Sequence, residues 1–436
     1  MFKIKTLVFC AAFVSGNAGL CFAQTAADTV SKFELVPVYE KTFSDSIVDV
    51  VFDEAWVTPQ KAKELGWKEL SGLEKKGNLV QVAYPKVVVT EKAIQFYASD
   101  GNVTKQIVLK GNEEVVKSPN GQYLVKKQKG RLTEGGGTMF DWNGKILGKI
   151  LKGQVKEVSD SGTVLVAESI DSETGWPLYF LMYDKTCKET GRFRIPERFA
   201  MIRVEGGGAK LTEDGHYFIV AFSGYVNADS VVYYLINDKG RVLWDKYLPY
   251  SVTGSMPTNH IGLAGLGIIG ITDLFVPEPF CKTNLIMIDW EANVKWLIPI
   301  HLRENMICKF ASDYSQVYVM SGAGYLWDID IEFGKILWKH KEPWAPNLPS
   351  EWPKDAPAFR QLEVNKSLII VNGMKEDKSW RPYSSTVLLL DNIDGKLLSK
   401  REYVTPIRIH APFMGKIIFV SDKKTIKAVI MRRALK

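Results

Sequence analysis

The five histidines, His216, His260, His301, His340 and His410, are the obvious candidates for acid–base or metal chemistry. None lies in an HExxH pattern, and no two stand at metal-ligand spacing. Their settings fit structural roles; His216, for example, follows an Asp-Gly turn into an apolar stretch. A ring-shaped fold could still gather His260, His301 and His410 from distant segments. Three cysteines, Cys187, Cys281 and Cys308, lie beyond the N-terminal leader. An odd number leaves at least one thiol unpaired within the chain, and the lack of a CxxC pair excludes a zinc ribbon or a thioredoxin-like centre. Inert, half-buried thiols are the expectation.

Other patterns fail on their surroundings. Ser421-Asp422-Lys423-Lys424 spells SxxK but lacks the companion motifs of that chemistry. Gly135-Gly136-Gly137 and Gly206-Gly207-Gly208 do not continue into GK[ST] and a helix, so they are not phosphate loops. Ser159-Asp160-Ser161-Gly162-Thr163 matches the polar part of a sialidase aspartate box without its closing tryptophan. No GxSxG elbow occurs. Asn102-Val103-Thr104 fits the glycosylation sequon inside a hairpin turn. No catalytic residue, metal ligand or cofactor is assigned on these grounds.

Binding chemistry is more visible. Trp176, Trp344, Trp352, Trp380, Arg381 and Tyr383 fall in long irregular segments, as do Phe275 and Phe280. Tryptophan, tyrosine and arginine are the usual anchors of binding surfaces. The same tryptophans could instead pin long loops to a scaffold, with Pro343, Pro346, Pro349 and Pro353 stiffening them.

The elements that must position these residues are short strands. A turn recurs as Asp100-Gly101, Asn143-Gly144, Glu189-Thr190-Gly191, Asp238-Lys239-Gly240, Glu291-Ala292-Asn293, Glu332-Phe333-Gly334 and Asp394-Gly395, at steps of 41 to 61 residues. Glycine and asparagine suit the positive φ of a tight hairpin. Very apolar runs precede each turn, such as Val231 to Ile236 and Tyr325 to Ile329, and shorter runs ending in Trp244 or Trp338 follow. An earlier turn in each unit appears as Ser118 to Gly121, Ser159 to Gly162 and Glu213 to Gly215. Four strands joined by hairpins make one propeller blade, and blades of about 40 to 50 residues fit the spacing. The run Ile261 to Ile271 is read as one buried strand.

The segment after Ile407 supplies only three strands, and Leu35 to Phe43 resembles a lone fourth strand. The expected fold is therefore an all-β, β-propeller architecture of eight four-stranded blades, with seven as the alternative count. Residues 34–43 would close the ring by completing the last blade. Thr58-Pro59 to Leu65-Gly66 carries helix start and stop signals, within an insertion over 54–83 that is expected to lie on the surface of the first blade.

The pattern of apolar strand, turn, glycine, apolar pair and tryptophan over Asn237 to Trp244 and Ile331 to Trp338 resembles the repeats of quinoprotein-like (PQQ-type) β-propellers. That superfamily includes quinone-cofactor alcohol dehydrogenases and the propeller lipoprotein of outer-membrane assembly. The adjacent cysteines found in many of the dehydrogenases are absent here. The resemblance implies architecture rather than a particular activity.

Composition places the chain among ordinary globular proteins. It has 436 residues, 46% hydrophobic and 24% charged. Lys3 and Lys5 before the apolar Leu7 to Val14, then Cys21-Phe22-Ala23, read as a signal peptide over 1–23, followed by a single propeller domain over 24–436. Leu20 before Cys21 argues against lipidation. The net charge of +7 is scattered, unlike the concentrated basic face of a nucleic-acid reader. No later segment reads as transmembrane. The expected role is an exported, periplasmic or extracellular, non-catalytic scaffold that binds a protein partner through its long-loop aromatic face. A glycan or small molecule is the alternative ligand, and a quinoprotein-like or hydrolytic enzyme with an axial site is the alternative class.

Overall fold

The computed structural model describes residues 33–70, 73–129, 135–169, 178–196, 209–212, 215–223, 231–248, 261–263, 267–274, 282–300, 307–311, 315–345, 356–364, 368–377, 381–414 and 417–433. Among the described residues the strands form eight antiparallel sheets, numbered in chain order. Sheet 1 holds Ile47–Val57, Leu79–Thr90, Ala93–Tyr97 and Val103–Val108, and sheet 2 holds Glu113–Lys117, Tyr123–Gln128, Gly137–Asp141 and Ile146–Ile150. Sheet 3 runs Gln154–Val158, Val164–Ser169, Leu178–Tyr183 and Glu189–Arg194, and sheet 4 runs Ala209–Leu211, Tyr217–Ser223, Val231–Asn237 and Val242–Leu248. Sheet 5 contains Ile261–Leu263, Gly267–Leu274, Lys282–Ile288 and Val294–Ile300. The run read as one strand from Ile261 is divided in two: Ile261–Leu263 and Gly267–Leu274 pair antiparallel in sheet 5.

Sheet 6 contains Ile307–Phe310, Gln316–Ser321, Tyr325–Asp330 and Ile336–Lys341, and sheet 7 contains Ala358–Val364, Leu368–Glu376, Pro382–Asp391 and Leu397–Tyr403. Sheet 8 is made from both ends of the chain. Arg408–Met414, Ile417–Ser421 and Thr425–Arg433 are joined by Phe33–Thr42, in register from Phe33 opposite Arg433 to Thr42 opposite Thr425. The first strand of each sheet lies beside that of a neighbour: sheet 2 against 3, 3 against 4, 4 against 5, 6 against 7, 7 against 8, and 8 against 1.

Middle strands are buried on both faces and read as unbroken apolar runs, such as Leu368 to Val371 and Leu388 to Leu390. Fourth strands keep one face toward solvent. In Ile336–Lys341, Ile336 and Leu337 are exposed while Trp338 is half-buried.

One contact joins successive sheets: the fourth strand reaches the last turn of the next sheet. Trp244 Nε1 donates to Trp290 O at 2.9 Å, Trp296 Nε1 to Ile331 O at 2.7 Å, and Trp338 Nε1 to Asn392 O at 3.3 Å. The indole then covers a turn glycine. An added Cβ on Gly334 would lie 2.4 Å from Trp296, and one on Gly395 would lie 2.4 Å from Trp338. Elsewhere the contact has other chemistry. Thr190 Oγ1 donates to Asp238 O at 3.0 Å, Lys105 Nζ to Gly144 O at 2.5 Å, and Lys41 Nζ to Gly101 O at 3.3 Å.

The turns correct two sequence expectations. In sheet 3 the turn is Asp184 to Cys187, with Cys187 at φ 62°, while Gly191 lies inside a strand. In sheet 5 Ala292, not Asn293, takes the positive φ of 66°. An aspartate at the turn start substitutes for glycine here: Asp184 Oδ1 accepts from Thr186 and Lys188 N–H, and Asp289 Oδ1 from Glu291 and Asn293 N–H. Gly191 is small for another reason. A Cβ there would come within 2.4 Å of the Lys239 carbonyl carbon in sheet 4.

The insertion of sheet 1 also departs from expectation. Thr58 caps the helix Pro59–Glu64, accepting from Lys61 N–H at 3.2 Å. The segment does not merely coat the surface. Trp67 is 1% exposed, 5.5 Å from the Tyr39 ring and edge-on to Phe419 at 6.3 Å. Lys68 N–H donates to Val38 O at 2.7 Å. The insertion packs over Phe33–Thr42, the outer strand of sheet 8, in one core cluster with residues of sheet 1.

Candidate functional site

The first strands of sheets 1, 2, 6, 7 and 8 surround one cavity of about 470 Å³. Val50, Val115 and Ile409 line its wall beside charged neighbours. Asp49 pairs with Lys117 at 3.0 Å, and Lys309 pairs with Glu363 at 3.4 Å. Arg408 Nη1 donates to the Val48 carbonyl and has no carboxylate partner among the described residues. Gln361 Oε1 accepts from Asn372 Nδ2 at 3.0 Å and Ile409 N–H at 3.1 Å, so its amide is fixed.

His410 closes the inner wall. Burial pushes its imidazole down to about 4; Asp49 opposes that shift, while Lys117 and Arg408 add to it. The ring is neutral at physiological pH. His410 Nε2 and Ser421 Oγ lie 2.7 Å apart, but Ser421 is 2% exposed and does not line the cavity. A nucleophile and base presented to a substrate would need that hydroxyl accessible. No group of three His, Cys, Asp or Glu side chains among the described residues could hold a metal ion.

With this geometry in view, similarity to solved structures becomes informative. BamB from Moraxella catarrhalis matches with a TM-score of 0.50 at 10% identity, over 91% of this chain and all of that one. The Dos1 propeller matches with a TM-score of 0.51 at 10% identity, over 91% of this chain and 95% of that one. A computationally designed protein, Ika8, matches with a TM-score of 0.50 at 11% identity, over 91% of this chain and all of that one. The fold is a β-propeller. No family model matches the sequence, and no curated protein is similar to it at the sequence level.

Within the propeller, the sequence-predicted site residues divide. Trp176, Trp352 and Trp380 lie outside the described residues, as do Phe275, Phe280, His260, His301 and Cys281. Trp344 is half-buried, edge-on to Phe359 with ring centroids 5.7 Å apart, and an added Cβ on Gly324 would meet it at 2.7 Å. It anchors the link that leaves sheet 6. Arg381 and Tyr383 are exposed. The segment Met374 to Ser384, read as a long loop, is mostly strand: Met374 pairs with Ser385 and Lys375 with Ser384. Arg360 holds Glu376 by two parallel bonds of 3.0 and 2.8 Å, which fixes this hairpin to the first strand of sheet 7.

Sequence reasoning missed Asp49, Lys117, Lys309, Glu363 and Arg408. Each sits alone in an ordinary strand, far in sequence from the others. Of the cavity residues, only His410 was among the three histidines, with His260 and His301, that a ring could gather. No described helix is long and apolar enough to cross a membrane. Cys308 is buried, its thiol pushed up to about 12 by burial, and Cys187 is half-buried in its turn, pushed up to about 11 by burial and by Asp184.

Proposed function

We propose that the chain is an exported propeller of eight blades, closed by its N-terminal strand, that works by binding a protein partner rather than by catalysis. Residues 1–23 act as the leader in this reading, and 24–436 as one domain. Closure is supported by the pairing of Phe33–Thr42 with Thr425–Arg433 and by the side-by-side first strands of sheets 8 and 1. The architectural likeness to PQQ-type repeats is supported by the three tryptophan docks of sheets 4 to 7.

The observation that carries the binding reading is the sheet 7 hairpin. Burial falls along it from Leu368 to Gly373, through half-buried Met374 to Glu376, to exposed Arg381 and Tyr383. A rigid hairpin ending in arginine and aromatic side chains is a preorganised contact surface. Trp176, Trp344, Trp352, Trp380, Arg381 and Tyr383 are the contact residues of this reading. A second reading, a small ligand held on the axis, is favoured by the cavity itself.

The test is crosslinking of the tagged, exported protein in cells, followed by mass spectrometry. A partner captured by the wild type should be lost from the Trp352→Ala/Trp380→Ala/Tyr383→Ala variant. It should be kept by Phe333→Ala, which removes an exposed ring from a turn at the other end of the blades. Capture that is equal in all three proteins rejects the hairpin end as the contact surface.

A further inference from the structure

The cavity on the first strands has a charge balance that the binding reading above does not use. Three cationic side chains face it, Lys117, Lys309 and Arg408, against two carboxylates, Asp49 and Glu363. Both carboxylates are spent on lysines. The guanidinium of Arg408 is left with only the Val48 carbonyl. An arginine fork without a carboxylate is a ready partner for a planar or tetrahedral oxyanion. Val48, Val50, Val89, Val115, Pro119 and Ile409 complete a lining that is more polar than apolar, as suits a charged ligand. A volume of about 470 Å³ suits a small molecule and is too small for a folded partner.

We propose that this axial cavity binds a small oxyanion, a carboxylate or a phosphate ester, with the anion seated on Arg408 and its neighbours Lys117 and Lys309. The two lysine–carboxylate pairs then tune the site. Each pair holds a cation in place while cancelling its charge, so the net attraction comes from Arg408. Removing one carboxylate should free its lysine for the ligand. The neutral, buried His410 behind the pocket keeps its ring out of this charge balance.

The experiment is calorimetric titration of the full-length mature protein with inorganic phosphate and, separately, with succinate, at fixed ionic strength. Binding of either probe supports the site, and the tighter of the two identifies phosphate or carboxylate as the source. Arg408→Gln should weaken binding about tenfold or more, the loss of one charge-assisted bond. Arg408→Lys, which keeps charge but not the fork, should fall between the two. Glu363→Gln should tighten binding severalfold. Circular dichroism confirms that each variant is folded. No binding of either probe to the wild type overturns the proposal. So does unchanged affinity in Arg408→Gln, or weaker affinity in Glu363→Gln. Partner crosslinking through the hairpin is unaffected by these variants, so either proposal can fail alone.

Discussion

The junctions along sheets 4 to 7 and those of sheets 8 with 1, 1 with 2 and 3 with 4 use the same contact made from different side chains. In the first group a tryptophan indole donates to a turn carbonyl of the next sheet, and Trp296 and Trp338 also lie on a turn glycine. In the second a lysine or threonine reaches the equivalent turn carbonyl. The backbone demands only a donor at that point. The energy differs, because an indole adds a large buried apolar area to the hydrogen bond, whereas an exposed lysine adds little beyond it. At the junction of sheets 8 and 1, Lys41 also lies over the Tyr97 ring, and Trp67 from the insertion packs on Tyr39 and Phe419.

This contrast can be broken at either end. Trp67→Ala should have the largest effect, a loss of about 3–5 kcal/mol in denaturant unfolding, with early proteolysis of the N-terminal strand. A smaller loss confined to the helix would show that Trp67 does not hold the junction. Trp296→Ala, at a dock where the ring is 9% exposed, should cost about 3 kcal/mol. Lys105→Met at the equivalent dock of sheets 1 and 2 should cost less than about 1 kcal/mol. Equal losses in the last two would erase the distinction between the two kinds of junction.

The two regions also differ in their buried titratable groups. Asp328, in sheet 6 beside Trp338, is pushed up to about 7 by burial, with Asp330 adding to the rise. Its folded form prefers the proton, so its contribution to stability falls as pH rises from the ordinary aspartate range through about 7. Asp328→Asn should therefore raise the melting temperature more at pH 8 than at pH 5. His410, in sheet 8, behaves in the opposite sense. Its folded form prefers the neutral ring, so stability is lost as pH falls from the ordinary histidine value toward about 4. His410→Gln should soften that acid limb by a smaller amount, measured by thermal melts between pH 6.5 and 4. The two effects overlap between about pH 4 and 7 and oppose each other, so each single variant should leave the slope of the remaining group exposed: rising with pH in Asp328→Asn, falling with pH in His410→Gln.

Much of the fold was legible because blades are local. Each hairpin is closed by residues a few positions apart, so Asp-Gly turns and apolar runs mark it directly. The docks of sheets 4 to 7 were partly legible through Trp244 and Trp338, which recur at the same place after the last turn of their units. The lysine docks were silent, because Lys41 and Lys105 look like any exposed strand residue. The turn of sheet 3 was misplaced for a related reason. An aspartate cap allowed Cys187 to take the positive φ, while Gly191 marked a close approach between sheets.

The sequence by itself determined the all-β class, the repeat length, most hairpin turns, and the lone N-terminal strand beside a three-strand C-terminal set. These follow from alternation, turn chemistry and strand count, which are properties of neighbouring residues. Tertiary structure alone decided that Trp67 packs onto Phe419, that Trp344 packs onto Phe359, and that Asp49, Lys117, Lys309, Glu363 and Arg408 share one cavity. A ring brings together one residue from each of several blades, dozens to hundreds of positions apart. No local pattern records which side chains will meet there.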